Sequence, residues 1–141
     1  MTSFESKITA IPAPIDRVFA KLSDLNNLEA IRDRIPADKA AQIKEMHFDT
    51  DSCTINVDPV GALTFRIIER EAPKLVKFTA ENSPLPLFLW LQFVPIDEHN
   101  TKTRITVKAE INAFLKPMIS KPLQEAIDRM AEMLTVIPYD I

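Results

Sequence analysis

Between residues 41 and 111 the chain keeps returning to a two-residue rhythm, interrupted by short turn signals and one apolar run. No other feature constrains the fold as strongly. Successive side chains of a β-strand point to opposite faces, so apolar–polar alternation marks a strand with one side on a core. "CTINV" (53–57) sets Cys53, Ile55 and Val57 on one face. "ALTFRIIERE" (62–71) opposes Leu63, Phe65 and Ile67 to Thr64, Arg66 and Arg70. "KLVKFTAE" (74–81) opposes Val76, Phe78 and Ala80 to Lys77, Thr79 and Glu81. "TRITVKAEI" (103–111) opposes Ile105, Val107, Ala109 and Ile111 to Arg104, Thr106, Lys108 and Glu110. "AQIKEMHF" (41–48) also reads as a strand, with its facing open: Ile43 shares parity with Glu45 and His47, whereas Met46 and Phe48 share it with Lys44. "DTDS" (49–52), Asp58-Pro59-Val60-Gly61, Ala72-Pro73 and "DEHNTK" (97–102) supply the turns, the second with type I preferences. Counting the apolar run, six strands joined this way form an antiparallel meander.

The apolar run is "PLPLFLWLQFVP" (84–95), which has no polar residue from Leu87 to Leu91. A membrane helix needs roughly 20 apolar residues, and Pro84, Pro86 and Pro95 bracket this segment too tightly. As a strand it turns either Leu87, Leu89, Leu91 and Phe93 inward, or Phe88, Trp90 and Val94. With the leucines inside, the other set falls on a normally solvated face. That much apolar area points to a homodimer through the 87–94 strand, or to cover by the chain's own loops.

Other periodicities flank the meander. "SFESKITAI" (3–11) alternates Phe4, Ile8 and Ala10 with Glu5, Lys7 and Thr9, a strand ended by Pro12 and Pro14. Ile15, Val18, Phe19 and Leu22 then repeat at helical spacing. Ser23 or Asp24 can cap a second short helix, with Leu25, Leu28 and Ile31 or Ile35 inward, closed by Pro36. After Asn112, a plausible cap, the positions Leu115, Met118, Ile119, Leu123, Ala126, Ile127, Met130 and Leu134 form a helical stripe, with Met133 to its side. Pro117 and Pro122 each remove a backbone donor and crowd the preceding turn. The expectation is a broken or kinked first part and a regular helix from about residue 122.

Composition removes whole classes of chemistry. The chain has one glycine, Gly61, and a hairpin turn uses it. Phosphate-binding loops, dinucleotide turns and the Gly-x-Ser-x-Gly elbow all need several glycines or a glycine pair. The net charge of −3, with acids interspersed among the lysines, supplies no basic face for nucleic acid. No secretory h-region is visible at the start, and the lone Cys53 suits a reducing compartment, so a cytoplasmic setting is expected. His47, His99 and Cys53 do not make a metal site, and no cofactor is expected. Glu45 and His47 share a strand face and form a base pair for catalysis only if that face is interior. Arg66 and Glu69 read as surface or rim charges.

Two stretches carry a family likeness. Ala13, Pro14, Val18, Phe19, Leu22, Ser23 and Asp24 fit a pattern A-P-x-x-x-V-F/W-x-x-L-S/T-D, and residues 69–76 fit E-R-x-x-P-K-L-V. With the element order, they resemble the SRPBCC superfamily of polyketide cyclase-like proteins, START lipid-transfer domains and the birch pollen allergen family. Both are packing and turn signatures, so they carry fold and not activity. The resemblance implies a single α+β helix-grip domain over residues 1–141. In it a curved seven-stranded antiparallel sheet wraps a long C-terminal helix, with two short helices between the first two strands. It also implies an apolar pocket between sheet and helix. The sheet's candidates to line it are Phe65, Ile67, Phe78, Leu89, Leu91, Phe93, Ile105 and Val107. The helix's candidates are Met118, Ile127 and Met130. The expected function is non-catalytic binding or carriage of a small hydrophobic molecule: a lipid, polyketide or aromatic. A cyclase- or dehydratase-like enzyme would need Glu45 and His47 in the pocket. A protein-interaction module would have a filled core.

Overall fold

The alternating segments pair in chain order. In the computed structural model, which describes residues 2–27, 47–57, 61–81, 83, 86–137 and 139, they build one antiparallel sheet. Its strands are β1 (Thr2–Glu5), β2 (Thr9–Ile11), β3 (His47–Phe48), β4 (Ser52–Val57), β5 (Gly61–Glu71), β6 (Leu75–Ala80), β7 (Leu87–Pro95) and β8 (Thr101–Ala109). The lateral order is β1-β8-β7-β6-β5-β4-β3, with β2 also paired to β8. Helix α1 (Ile15–Leu22) follows β2, and helix α2 (Lys116–Leu134) follows β8. Of the second short helix expected beyond Ser23, the described residues reach only Asn27, with Leu25 buried as expected; most of the 41–48 strand and the turn at 58–60 lie outside them.

The expected inner parities hold through the middle of the sheet. Leu63, Phe65, Ile67, Val76, Phe78, Ile105, Val107 and Ala109 are buried. The apolar run resolves with Leu87, Leu89, Leu91 and Phe93 buried and Val94 57% exposed. Between Ile67 and Glu69 the β5–β6 register shifts, leaving Ile68 outside the pairing and exposed. A bulge of this kind bends its strand and sharpens the sheet's twist, which suits a sheet that must curl around a helix.

The first strand departs from expectation. It splits at Ser6–Ile8 into β1 and β2, both on β8, giving eight strands among the described residues where seven were expected. The Ser6 N–H donates to the Ile105 carbonyl at 2.8 Å, while its Oγ accepts from the Ile105 N–H at 2.9 Å. The hydroxyl thus replaces a backbone carbonyl, the chain steps out of register, and parity flips. Phe4 and Ile11 are buried, whereas Ile8, expected beside Phe4, is 62% exposed and Ala10 is exposed too. The break is tied to α2: the Lys7 N–H donates to Asp128 Oδ1 at 2.9 Å, and Lys7 Nζ pairs with Glu132.

The tail helix also differs. It runs unbroken from Lys116 through Pro122 to Leu134. Pro117 falls in the first turn, where backbone N–H groups have no helical acceptor anyway. Ile119, Leu123, Ile127, Ala131, Met133 and Leu134 are its buried residues. Gln124 Nε2 donates to the Glu5 carbonyl at 2.8 Å, and Thr9 Oγ1 to the Ala131 carbonyl at 3.2 Å. Hydrogen bonds therefore seat α2 against β1 and β2. Val18 and Leu22 of α1 join the same core, each at 0% exposure. No helix among the described residues is long and apolar enough to cross a membrane.

Candidate functional site

Where the sheet curves away from the C-terminal half of α2, a small void remains, with a volume of about 30 Å³. Leu22 and Leu25 close it from the α1 side, and Phe48, Cys53, Phe65, Phe78, Leu89 and Leu91 from the sheet. Met130, Met133 and Leu134 close it from α2. Among the described residues, every lining side chain is a hydrocarbon, a thioether or a thiol.

Five of the residues expected from sequence meet here: Phe65, Phe78, Leu89, Leu91 and Met130. Ile67, Phe93, Ile105, Val107 and Ile127 are buried in the same core but do not line the void. Met118 is 56% exposed and belongs to the outer surface. The reason is geometric. At about 100° per residue, a helix that continues through Pro122 carries Met118 about 140° around the axis from Leu123. Met133, which the stripe left to one side, is instead buried against the void.

Sequence reasoning missed Leu22, Leu25, Phe48, Cys53, Met133 and Leu134 as lining. Cys53, Leu22, Leu25 and Leu134 stood on correctly assigned inner faces. What the pattern lacked was the place where sheet and helix diverge, which is a property of curvature and not of parity.

Among the described lining residues, Cys53 is the one potential nucleophile. Burial pushes its thiol up to about 12, so it is neutral near pH 7 and nucleophilically inert. His47 is exposed while its neighbour Phe48 reaches the void, so the histidine points away from it. Glu45 lies outside the described residues. Among those residues, no cluster of three or more His, Cys, Asp or Glu side chains is placed to hold a metal.

A second concavity, open and larger at about 640 Å³, lies at the β7–β8 turn. Pro12, Ala13, Pro14, Ile137 and Tyr139 line it together with Arg17, Glu98 and His99. Tyr139 is not a free polar group there. Its hydroxyl donates to the Leu134 carbonyl at 2.6 Å, and burial raises its pKa. Beside it Asp97 is held below the usual carboxylate range, first by the His99 backbone N–H and then by the Asn100 side chain.

On the outer face of β7, Phe88 and Trp90 are half-buried, with ring centroids 6.1 Å apart. Lys77 Nζ lies 5.2 Å from each ring centre, and Lys108 Nζ lies 5.6 Å from that of Trp90. Part of the cover these rings need therefore comes from lysines of the same chain, in cation–π geometry.

A curved antiparallel sheet gripping a C-terminal helix around an apolar space defines a START-like helix-grip protein. The chain is similar to a START superfamily protein from Mycobacterium smegmatis, at 12% identity and TM-score 0.67 over 94% of both chains. It is similar to norcoclaurine synthase from Thalictrum flavum, solved with dopamine and hydroxybenzaldehyde, at 11% identity and TM-score 0.69, covering 95% of this chain and 84% of that one. The di-domain ARO/CYC BexL of the BE-7585A biosynthetic pathway matches at 14% identity and TM-score 0.63, over 95% of this chain and 46% of that one. At these identities the likeness is one of fold. The protein belongs to the family described as polyketide cyclase / dehydrase and lipid transport, whose model matches residues 1–135. No curated protein matches its sequence.

Proposed function

We propose that the protein binds and carries a small apolar molecule between the sheet and α2, and performs no chemistry on it. One observation carries this reading: the described residues that line the void between sheet and helix present only apolar side chains and a protonated thiol. A polar group placed there would lose its water and find no partner, which disfavours polar ligands and charged intermediates alike. The family's description, which includes lipid transport, supports the same reading.

Size sets the terms. Ligand sites commonly hold about 300–1,000 Å³, so a void of about 30 Å³ must widen before it admits a guest. Met130 and Met133 provide the means, because an unbranched thioether with three rotatable bonds re-packs with little strain. The guest is therefore compact: one or two fused rings or a short alkyl chain. A buried free thiol suits a reducing compartment, and the cytoplasm is the setting this reading assigns.

Native mass spectrometry of freshly purified protein is the direct test, paired with titration of a naphthylamine-type apolar fluorophore. The expected results are a co-purifying apolar mass and saturable one-site fluorescence, the latter abolished when Met130→Trp fills the void. Neither a bound mass nor saturable binding in a correctly folded protein would overturn the proposal.

A further inference from the structure

The N-terminal end of α2 displays what the rest of the molecule hides. Phe114 is 85% exposed and Met118, four residues on, is 56% exposed. Phe114 is not at the tip of a loose loop. It sits in a turn whose Leu115 N–H donates to Asn112 Oδ1 at 2.9 Å, and the Lys116 N–H donates to the Asn112 carbonyl at 3.1 Å. An aromatic ring is therefore held out in water by a hydrogen-bonded turn, with a flexible thioether beside it.

The charge around these two side chains is one-sided. From Ile111 to Gln124 there is no acidic residue, and the two charges are Lys116 and Lys121, both exposed. Glu110 and Glu125 bound the stretch. In a chain of net charge −3, residues 111–124 thus carry two positive charges and no negative one beside an apolar crest.

We infer that this end of α2 docks on an anionic lipid bilayer. Phe114 and Met118 would insert at headgroup depth while Lys116 and Lys121 meet the lipid phosphates. Exposed aromatic and aliphatic side chains flanked by lysines are the composition of an interfacial anchor. A second copy of the chain fits the patch poorly. An isologous contact over this patch would bring Lys116 and Lys121 of both protomers into one interface, and like charges gathered there oppose association. The inference does not depend on what the interior void binds.

Vesicle co-sedimentation tests it, comparing pure phosphatidylcholine with an equimolar mixture of phosphatidylcholine and phosphatidylglycerol. The protein is expected to sediment with the mixed vesicles and to be released by added salt. The double variant Lys116→Gln/Lys121→Gln should lose affinity roughly 30-fold. Phe114→Ser/Met118→Ser should lose roughly tenfold or more. All four side chains are exposed, so the variants should keep the wild-type unfolding midpoint, which is measured alongside. Failure to sediment with mixed vesicles, equal sedimentation with both compositions, or a concentration-dependent dimer abolished by Phe114→Ser would each overturn the inference.

Discussion

Replacing Leu89 by alanine probes the interior directly. Leu89 is 3% exposed, lines the void, and lies between Phe78 of β6 and Val107 of β8 in the strand register. The substitution removes three buried carbons at about 0.8 kcal/mol each, or about 2.4 kcal/mol. The ladders on both sides hold β7 in place, so collapse is limited. If about 60 Å³ of new space persists, at about 24 cal/mol per Å³ it adds about 1.4 kcal/mol. The expected loss is then about 4 kcal/mol, seen as a lower urea midpoint at unchanged slope and as a fall in Tm of about 12–16 °C. The enlarged void should admit a benzene-sized guest, because dry apolar cavities of somewhat larger size bind benzene. At a hundredfold excess over its Kd, such a guest restores about 2.7 kcal/mol. Val94→Ala, on a side chain 57% exposed, serves as the control and should shift stability by no more than about 0.5 kcal/mol. A loss below about 1 kcal/mol for Leu89→Ala would refute the packing. A full loss that benzene leaves untouched would refute the claim that this space receives apolar guests.

Cys53 should resist iodoacetamide in the native protein at mildly alkaline pH and react promptly in urea, as read by mass spectrometry. Its folded pKa, about 12, lies above the unfolded value of 9.0. The neutral thiol's contribution is therefore complete below pH 9 and is lost as pH rises from 9 toward 12. Tyr139, also raised by burial, acts in the same direction, so Cys53→Ala should lessen the alkaline fall in urea midpoint without removing it. Pro122→Ala should stabilise the protein by about 1–3 kcal/mol in urea unfolding, since it restores a donor inside α2. Pro117→Ala, in the first turn, should change stability by less than about 0.5 kcal/mol. Destabilisation by Pro122→Ala would show that the proline is accommodated by a distortion the helix needs.

Much of the architecture was written in side-chain parity. The leucine set of β7 and the inner faces of β5, β6 and β8 follow from it, because a one-residue slip would turn a whole apolar set outward. The departures occur where something stronger than parity acts. At Ser6 a side-chain hydroxyl takes over a backbone role on Ile105, and the alternation through Ile8 and Ala10 becomes misleading. At Pro122, packing of Ile119, Leu123 and Ile127 on the sheet outweighs the intrinsic preference against proline, and Met118 turns outward as a result. The void itself was legible only as a collection of inward residues. Its size depends on how Phe48, Phe65 and Phe78 fill a curved surface, to whose bending a register shift at Ile67–Glu69 contributes, and no local rule announced that shift.

This arrangement also decides what kind of selectivity the interior can have. A site with hydrogen-bonding groups rejects a mismatched ligand strongly, because its own buried polar atoms are stranded. A site without them discriminates by fit, at about 1–3 kcal/mol per methylene. With no polar side chain among the described residues that line the void, selectivity rests on volume and on the ease with which Met130 and Met133 move aside. That favours a carrier tolerant of several compact apolar guests over an enzyme that must orient one substrate. The two ends of α2 divide the work accordingly. Met130 lies twelve residues beyond Met118, about 18 Å along the helix axis, so the proposed lipid-docking surface and the proposed guest site can be altered independently.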